Sequence, residues 1–382
     1  MSVCSHLECR GEKTMRKRRE FITTMAGAAG ALVMGNKLIS VGAAQAPAAA
    51  PAPRVGRIMV GGRRVRVIDI HAHWNVPGLP ALNPNAGGRG GGRGGGRGGA
   101  PADPVATRIA LMDQRGIDVG VLSVNGFNWY ESDDRSLVSK YMAAQDEGLA
   151  AVCKANPTRL VAVSSPSLQF PDLAAQQLEH AMTELGLKGA SVGGHCRGES
   201  LSAAKYDPFW AKCEELEALV FMHPGGADNL LKENVWEGVP GDLGNIIGNP
   251  LESTAFVSRM IYEGTLDKFP KLKICVAHAG GYLPSYLGRG DAACEVRNNA
   301  NCRNTRQFRD YFKDQIMVDT MIFSDEGLRH LVAEVGAGQI LYGTDMAFNW
   351  PDGIDEVLRA DYLSNAQKEA ILGGTVAGLL KL

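Results

Sequence analysis

The sequence predicts a (β/α)8 TIM barrel of about 320 residues, on three observations. Eight short runs of aliphatic and β-branched residues alternate with helical stretches along residues 63–382, the order that βαβ units impose on a parallel sheet. Val161, Val163, Val220, Ile274, Val276, Ile340 and Leu341 stand in runs that suit strands buried on both faces. Residues able to bind a metal stand at the ends of several runs, the rim where such barrels carry their active sites. A doubly wound open sheet is the alternative.

Taken in order, the strands are expected over Arg64–Ile70, Asp118–Val124, Leu160–Ser165, Leu187–Val192, Leu219–Met222, Leu272–Ala277, Gln315–Asp319 and Gln339–Tyr342. The helical stretches between them are Pro104–Arg115, Ser136–Asn156, Leu173–Leu185, Pro208–Leu216, Ser253–Phe269 and Glu326–Val335. The first strand finishes in Ile68-Asp69-Ile70-His71-Ala72-His73. In extended chain, residues two apart share a face, so His71 and His73 can converge on one cation. The fifth strand ends at His223, the sixth at His278 and the eighth at Asp345. A single one of these reads equally as a hydrogen-bonded core residue or a cap, but five at matching strand ends point to a metal centre. His195, just past the fourth strand, lies at the same rim and stays an open candidate. Asp69 reads either as an anchor behind the first ligand or as a turn cap.

The N-terminus reads differently. Lys17-Arg18-Arg19-Glu20-Phe21-Ile22 is a twin arginine before an apolar pair, followed by a weakly apolar run to Val33 and the small residues Val41–Ala44. Basic region, apolar region and small-residue cleavage site make an export signal of the twin-arginine type over residues 1–44. Residues 45–62 follow as an Ala/Pro-rich linker. The expected location is therefore the periplasm or the medium of a bacterium. Seven basic and three acidic residues lie in 1–44, so their removal takes the formal charge from −1 to −5, which argues against nucleic acid as a partner. Hydrophobic residues at 45% against 21% charged exclude a disordered chain, and no apolar stretch is long enough for a membrane span. Of the eight cysteines none is in a CxxC pair, which disfavours a structural zinc site; Cys294 and Cys302 are the nearest pair outside the signal, and their state is left open. A low-complexity insert at 87–100 follows the first strand, with Arg89, Arg93 and Arg97 and no interleaved aromatic, so it reads as a lid or an inert linker rather than a strand-binding segment.

The motifs IDIHAH, GVLSVNGF, LVFMHP, KFPKLKICVAHAGGYLPSYLGR, LYGTDMAF and ILGGTVAGLLKL resemble the amidohydrolase superfamily, within it the aminocarboxymuconate-semialdehyde decarboxylase-like group. The resemblance runs from about residue 64 to the C-terminus. It implies that His71, His73, His223 and Asp345 hold one divalent metal, zinc or else manganese, and that His278 is the catalytic acid/base beside a metal-bound water. It further implies that Arg289 binds a substrate carboxylate, often across a homodimer. The expected activity is non-oxidative decarboxylation of a small unsaturated or aromatic carboxylic acid. The alternative is hydrolysis of a lactone, ester, amide or C–C bond at the same site. No lysine ends the fourth strand, since Lys188 is at its start, so a mononuclear centre is expected. Two departures bear on the substrate: Gly225-Gly226 follows the fifth-strand His-Pro where the group often has Trp-Asp, and no arginine before the second strand clearly matches a second carboxylate binder. Trp74, Phe127, Trp129 and Phe348 are candidate wall residues.

Overall fold

A computed structural model describes residues 53–79, 104–124, 132–225, 230, 241–348 and 350–382. The export signal, the Gly/Arg-rich insert, Phe127 and Trp129 lie outside the described residues. The described chain holds eight parallel strands: β1 (Ile68–His73), β2 (Val119–Ser123), β3 (Leu160–Ala162), β4 (Gly189–Val192), β5 (Leu219–Met222), β6 (Lys273–Val276), β7 (Ile316–Asp319) and β8 (Ile340–Leu341). β1–β3 form one continuous ladder and β4–β8 another. Two seams join them. Ser164 bridges Ala190 between β3 and β4, and Ala72 bridges Met346 between the residues following β8 and β1. Hydrogen bonds reinforce both seams, from Ser191 N to Ser164 O (2.6 Å) and from Ile70 N to Tyr342 O (3.0 Å). Every strand thus has two neighbours, and the sheet closes into the expected barrel.

Side chains alternate across the closed sheet as the strand period of two requires. Ile68, Ile70, Val119, Val121, Val163, Leu219, Phe221, Cys275, Met317 and Leu341 fill the inside, packed with Val376 and Leu380 of the C-terminal helix. Leu122, Ala190, Val192, Val220, Met222, Ile274, Val276, Val318 and Ile340 face outward into the layer shared with the helices. Those helices include α1 (Pro104–Arg115), α2 (Arg135–Ala155), α3 (Pro171–Thr183), α4 (Asp207–Glu215), α5 (Asn249–Tyr262), α6 (Leu287–Val296), α7 (Phe308–Asp314) and α8 (Asp325–Val335). Asp134 and Ser324 start α2 and α8 by accepting from the backbone N–H of Leu137 and Gly327, satisfying donors that a helix leaves unpaired.

α6 and α7 lie in stretches where no helix is expected, and two of the expected elements take different bounds. The helix expected over Ser253–Phe269 stops at Tyr262 because Gly264 takes a left-handed φ of 80°, and only a short turn, Thr265–Lys268, follows. The first strand begins at Ile68 rather than Arg64, since Arg63–Arg64 pair with Met59–Val60 in a small antiparallel hairpin. The described end of the expected linker packs down, burying Ile58 and Val60 in the outer core. A disulfide joins Cys294, in the last turn of α6, to Cys302 beyond that helix. Among the described residues no helix is long and apolar enough to cross a membrane.

Candidate metal centre

The pleat sends His71 and His73 to one place. A register shift between Asp69 and Ala72 in β1 marks an irregularity there, and the two imidazole Nε2 atoms stand 3.2 Å apart. Asp345 Oδ1 approaches both, at 2.9 Å from His73 and 3.2 Å from His71. His223, one residue beyond β5, packs its ring 4.5 Å from that of His73 and 5.0 Å from that of His71. His278, two residues beyond β6, lies 5.0 Å from the His223 ring. One donor atom each from His71, His223, His278 and Asp345 falls within 4.8 Å of the others. The structure therefore gathers all five rim residues, and His73 completes the group through its contacts to His71 and Asp345.

The hydrogen bonding decides which nitrogen faces the centre. His71 Nδ1 is 2.7 Å from Asp319 Oδ2. An ionised carboxylate only accepts, so Nδ1 carries the proton and Nε2 turns its lone pair to the cluster. His223 is buried, and neither of its ring nitrogens has a hydrogen-bond partner among the described residues. A buried imidazole without a partner is costly unless a ligand accepts its lone pair. Burial, then the neighbouring histidines, hold His223 well below the ordinary imidazole range, and burial lowers His73 to about 4. Burial also opposes charge on His71, but Asp345 and Asp319 outweigh it and lift that ring to about 10. Asp345 stays well below the usual carboxylate range because the histidines outweigh its burial. Two imidazoles held neutral, beside carboxylates that draw positive charge onto the third, fit a divalent cation that would take the place of the His71 Nε2 proton, and metal–donor bonds of about 2.0–2.2 Å place such atoms at this spacing.

Supporting contacts that the sequence did not disclose complete the site. Asp69, whose role stood open, accepts from His71 N (3.0 Å), Thr344 N (3.1 Å) and Thr344 Oγ1 (2.5 Å), so it anchors β1 to the segment bearing Asp345. Trp350 Nε1 donates to Asp345 Oδ2 at 2.9 Å and stacks on Phe323. Glu252, buried on α5, accepts through Oε1 from Gly194 N (2.9 Å) and Gly225 N (3.1 Å), tying the loops after β4 and β5 together. A Cβ on Gly343 would stand 2.9 Å from His71 Cβ and 3.1 Å from Asp319 Cβ, so only glycine lets these two side chains meet. Arg108 stands before β2, in the segment where the resemblance implies a second substrate arginine. Its guanidinium instead donates to the carbonyls of His73 and Met346, where it pins the β1–β8 seam.

Other candidates stand apart. Arg289 is exposed on α6 and makes no ion pair among the described residues. His195 sits in a two-residue strand and accepts from Gly198 N through Nδ1. Trp74 is buried in the core, whereas Phe348 is part-exposed with its ring 6.0 Å from His73.

The family model described as Amidohydrolase matches residues 68–382. The 2-amino-3-carboxymuconate-6-semialdehyde decarboxylase of Dictyostelium discoideum is 29% identical over 293 residues, 72% of this chain and 76% of its own length. The gamma-resorcylate decarboxylase of Rhizobium radiobacter is 29% identical over 286 residues, 72% of this chain and 86% of its own. A crystal structure of a dihydroxybenzoic acid decarboxylase from Polaromonas sp., with bound manganese and the inhibitor 2-nitroresorcinol, is similar with a TM-score of 0.68 at 25% identity. That likeness covers 83% of this chain and 97% of the other.

Proposed function

The chain belongs to the amidohydrolase family, and from that premise we propose that it is a metal-dependent, non-oxidative decarboxylase of small aromatic carboxylic acids bearing a ring hydroxyl. The observation that carries the metal requirement is His223, buried beside three other imidazoles and a carboxylate with both nitrogens unpartnered among the described residues. The two relatives named above as decarboxylases, of 2-amino-3-carboxymuconate-6-semialdehyde and of gamma-resorcylate, support the reaction class.

In this reading His71, His73, His223 and Asp345 hold one divalent ion, zinc or manganese; the manganese-bound relative supports the second choice. Such an ion acts as a Lewis acid that orients and polarises the oxygen atoms of the bound acid. His278 is the residue that moves the proton. Its side chain keeps 14% exposure while His71 has none, and its Nε2 is 3.9 Å from Asp345 Oδ2, so it can recharge from solvent. His278 delivers a proton to the ring carbon that bears the carboxylate; the C–C bond then breaks, its electron pair returns to the ring, and carbon dioxide leaves. No redox cofactor is required, because the proton replaces the carboxylate without change of oxidation equivalents elsewhere. Arg289, exposed on α6, serves as a carboxylate binder in this scheme if it meets the rim of a neighbouring copy.

The test combines metal-to-chain ratio by elemental mass spectrometry with product analysis on 2-hydroxy- and 2,6-dihydroxybenzoates. A ratio near one and metal-dependent carbon dioxide release are expected. Addition of water to an ester or lactone, with no carbon dioxide from any acid, would move the assignment to hydrolysis.

The twin-arginine segment further leads us to place the protein outside the cytoplasm, and the Cys294–Cys302 disulfide supports this, since such bonds persist in oxidising compartments. Replacing Arg18 and Arg19 by lysine is expected to leave the chain in the cytoplasmic fraction.

A further inference from the structure

We infer that Asp319, at the end of β7, is a positioning residue that joins two parts of the centre: it selects the metal-facing nitrogen of His71 and builds the turn that presents His278. The inference rests on the metal-dependent reading above and extends it to a residue with no counterpart among the expected ligands.

Asp319 is wholly buried and spends both oxygens. Oδ2 accepts from His71 Nδ1 at 2.7 Å and from His278 N at 3.1 Å. Oδ1 accepts from Ala279 N at 2.8 Å and from Met321 N at 3.1 Å. The turn it holds is unusual. His278, Ala279, Gly280 and Gly281 have φ of 57°, 55°, 74° and 67°, a run of left-handed residues of which the first two have a Cβ that disfavours it. Glycine is required at the last of them, because a Cβ on Gly281 would lie 2.3 Å from Pro250 O. Two carboxylate-to-amide bonds to His278 and Ala279 offset the unfavourable backbone, as strained residues at sites need surrounding contacts to persist. One carboxylate therefore fixes the tautomer of a ligand and the aim of the acid/base. A carboxylate that served only to fill space or to bond one amide would do neither.

The test is Asp319→Asn in the full chain, with Zn2+ as the probe. Asparagine keeps the shape but has a single acceptor oxygen, so it cannot serve His71 and both turn amides together. Zinc affinity, read by competition with a chromophoric chelator, is expected to fall about 10–100-fold. At saturating metal, kcat is expected to fall with little change in KM. Adding Ala279→Gly to Asp319→Asn is expected to recover part of kcat and none of the zinc affinity, because glycine takes positive φ unaided. A lower melting temperature with zinc affinity and kcat both intact would overturn the inference. Should Asp319→Asn not fold, 15N spectra of the histidine rings in the zinc-loaded natural chain decide: a protonated, exchange-protected Nδ1 on His71 is expected, and zinc ligation through that Nδ1 overturns the inference. A natural chain that binds no zinc and no manganese defeats the metal reading itself, an outcome separate from the behaviour of the variant.

Discussion

Two arcs of the same barrel face each other across its mouth, and they differ in kind. The arc from β5 through β8 and around to β1 supplies His223, His278, Asp319, Asp345, His71 and His73, all converging on one point. The arc from β2 to β4 supplies Ser123, Ser165 and Ser191, whose hydroxyls are buried and have no partner among the described residues. Both arcs obey the same alternation of inward and outward side chains. What differs is where charge is concentrated. The contrast teaches that the barrel needs only part of its circumference to hold a cation, and that Glu252, bonded to Gly194 and Gly225, locks the quiet arc to the charged one at the β4–β5 junction.

The most severe way to break the contrast is to remove charge-binding from the charged arc. His223→Ala is expected to abolish stoichiometric metal and to lower kcat/KM by about three decades, the scale of several kcal/mol of Lewis-acid stabilisation. Metal analysis of the folded variant checks it; full metal content would remove His223 from the ligand set. Next in size is His278→Asn, expected to keep the metal and lose about 10²–10⁴-fold in kcat, the range of a general acid. Loss of metal in that variant would instead make His278 a ligand, a swap that the 4.8 Å grouping of its nitrogen with His71, His223 and Asp345 makes worth measuring.

How far each arc could be read from sequence follows from the kind of signal it carries. The strands were readable because Val161, Val163, Val220 and Ile274 can only be buried runs, and the rim histidines because four of them end strands at matching points. Asp319 was not readable. An aspartate that ends a strand looks the same whether it caps a turn or grips a histidine 248 positions away. Glu252 sits on a helix, where nothing local distinguishes a buried glutamate from a solvated one. Trp350 and Arg108 owe their roles to a barrel seam that exists only once β8 meets β1. Helix ends are legible only where a cap or glycine stands out, and Gly264 sits inside an apolar pattern that hides its left-handed turn.

The quiet arc has a buried acid of its own, which gives a smaller, pH-dependent effect. Asp146 on α2 accepts from Ser164 Oγ at 2.6 Å, and burial pushes its carboxyl up to about 7 from an ordinary 3.8. The fold thus holds the protonated form more tightly than the unfolded chain does. That contribution is full below about pH 4, shrinks as pH rises toward 7, and is gone once both states are ionised. The slope is at most about 1.4 kcal/mol per pH unit. Asp146→Asn is expected to flatten the fall in melting temperature between pH 5 and pH 8, measured at constant metal. An unchanged slope would mean that Asp146 is ionised throughout.

The smallest effect tests the quiet arc at its centre. Ser191 points inward because its neighbours Ala190 and Val192 point outward, and its hydroxyl is buried with no partner among the described residues. Burying an unpaired hydroxyl costs free energy, on the order of 1–3 kcal/mol from mutational data. Ser191→Ala removes that cost along with one oxygen, so it is expected to be neutral or to stabilise the fold by up to about 1 kcal/mol, and the same holds for Ser165→Ala. Melting temperature and KM for a 2-hydroxybenzoate, read together, separate the two roles such a hydroxyl can have. A stable variant with unchanged KM keeps the quiet arc as scaffold. A stable variant with raised KM makes the hydroxyl a partner of the acid's oxygen atoms, and then the charged arc binds the reacting carboxylate while the serines read the rest of the molecule.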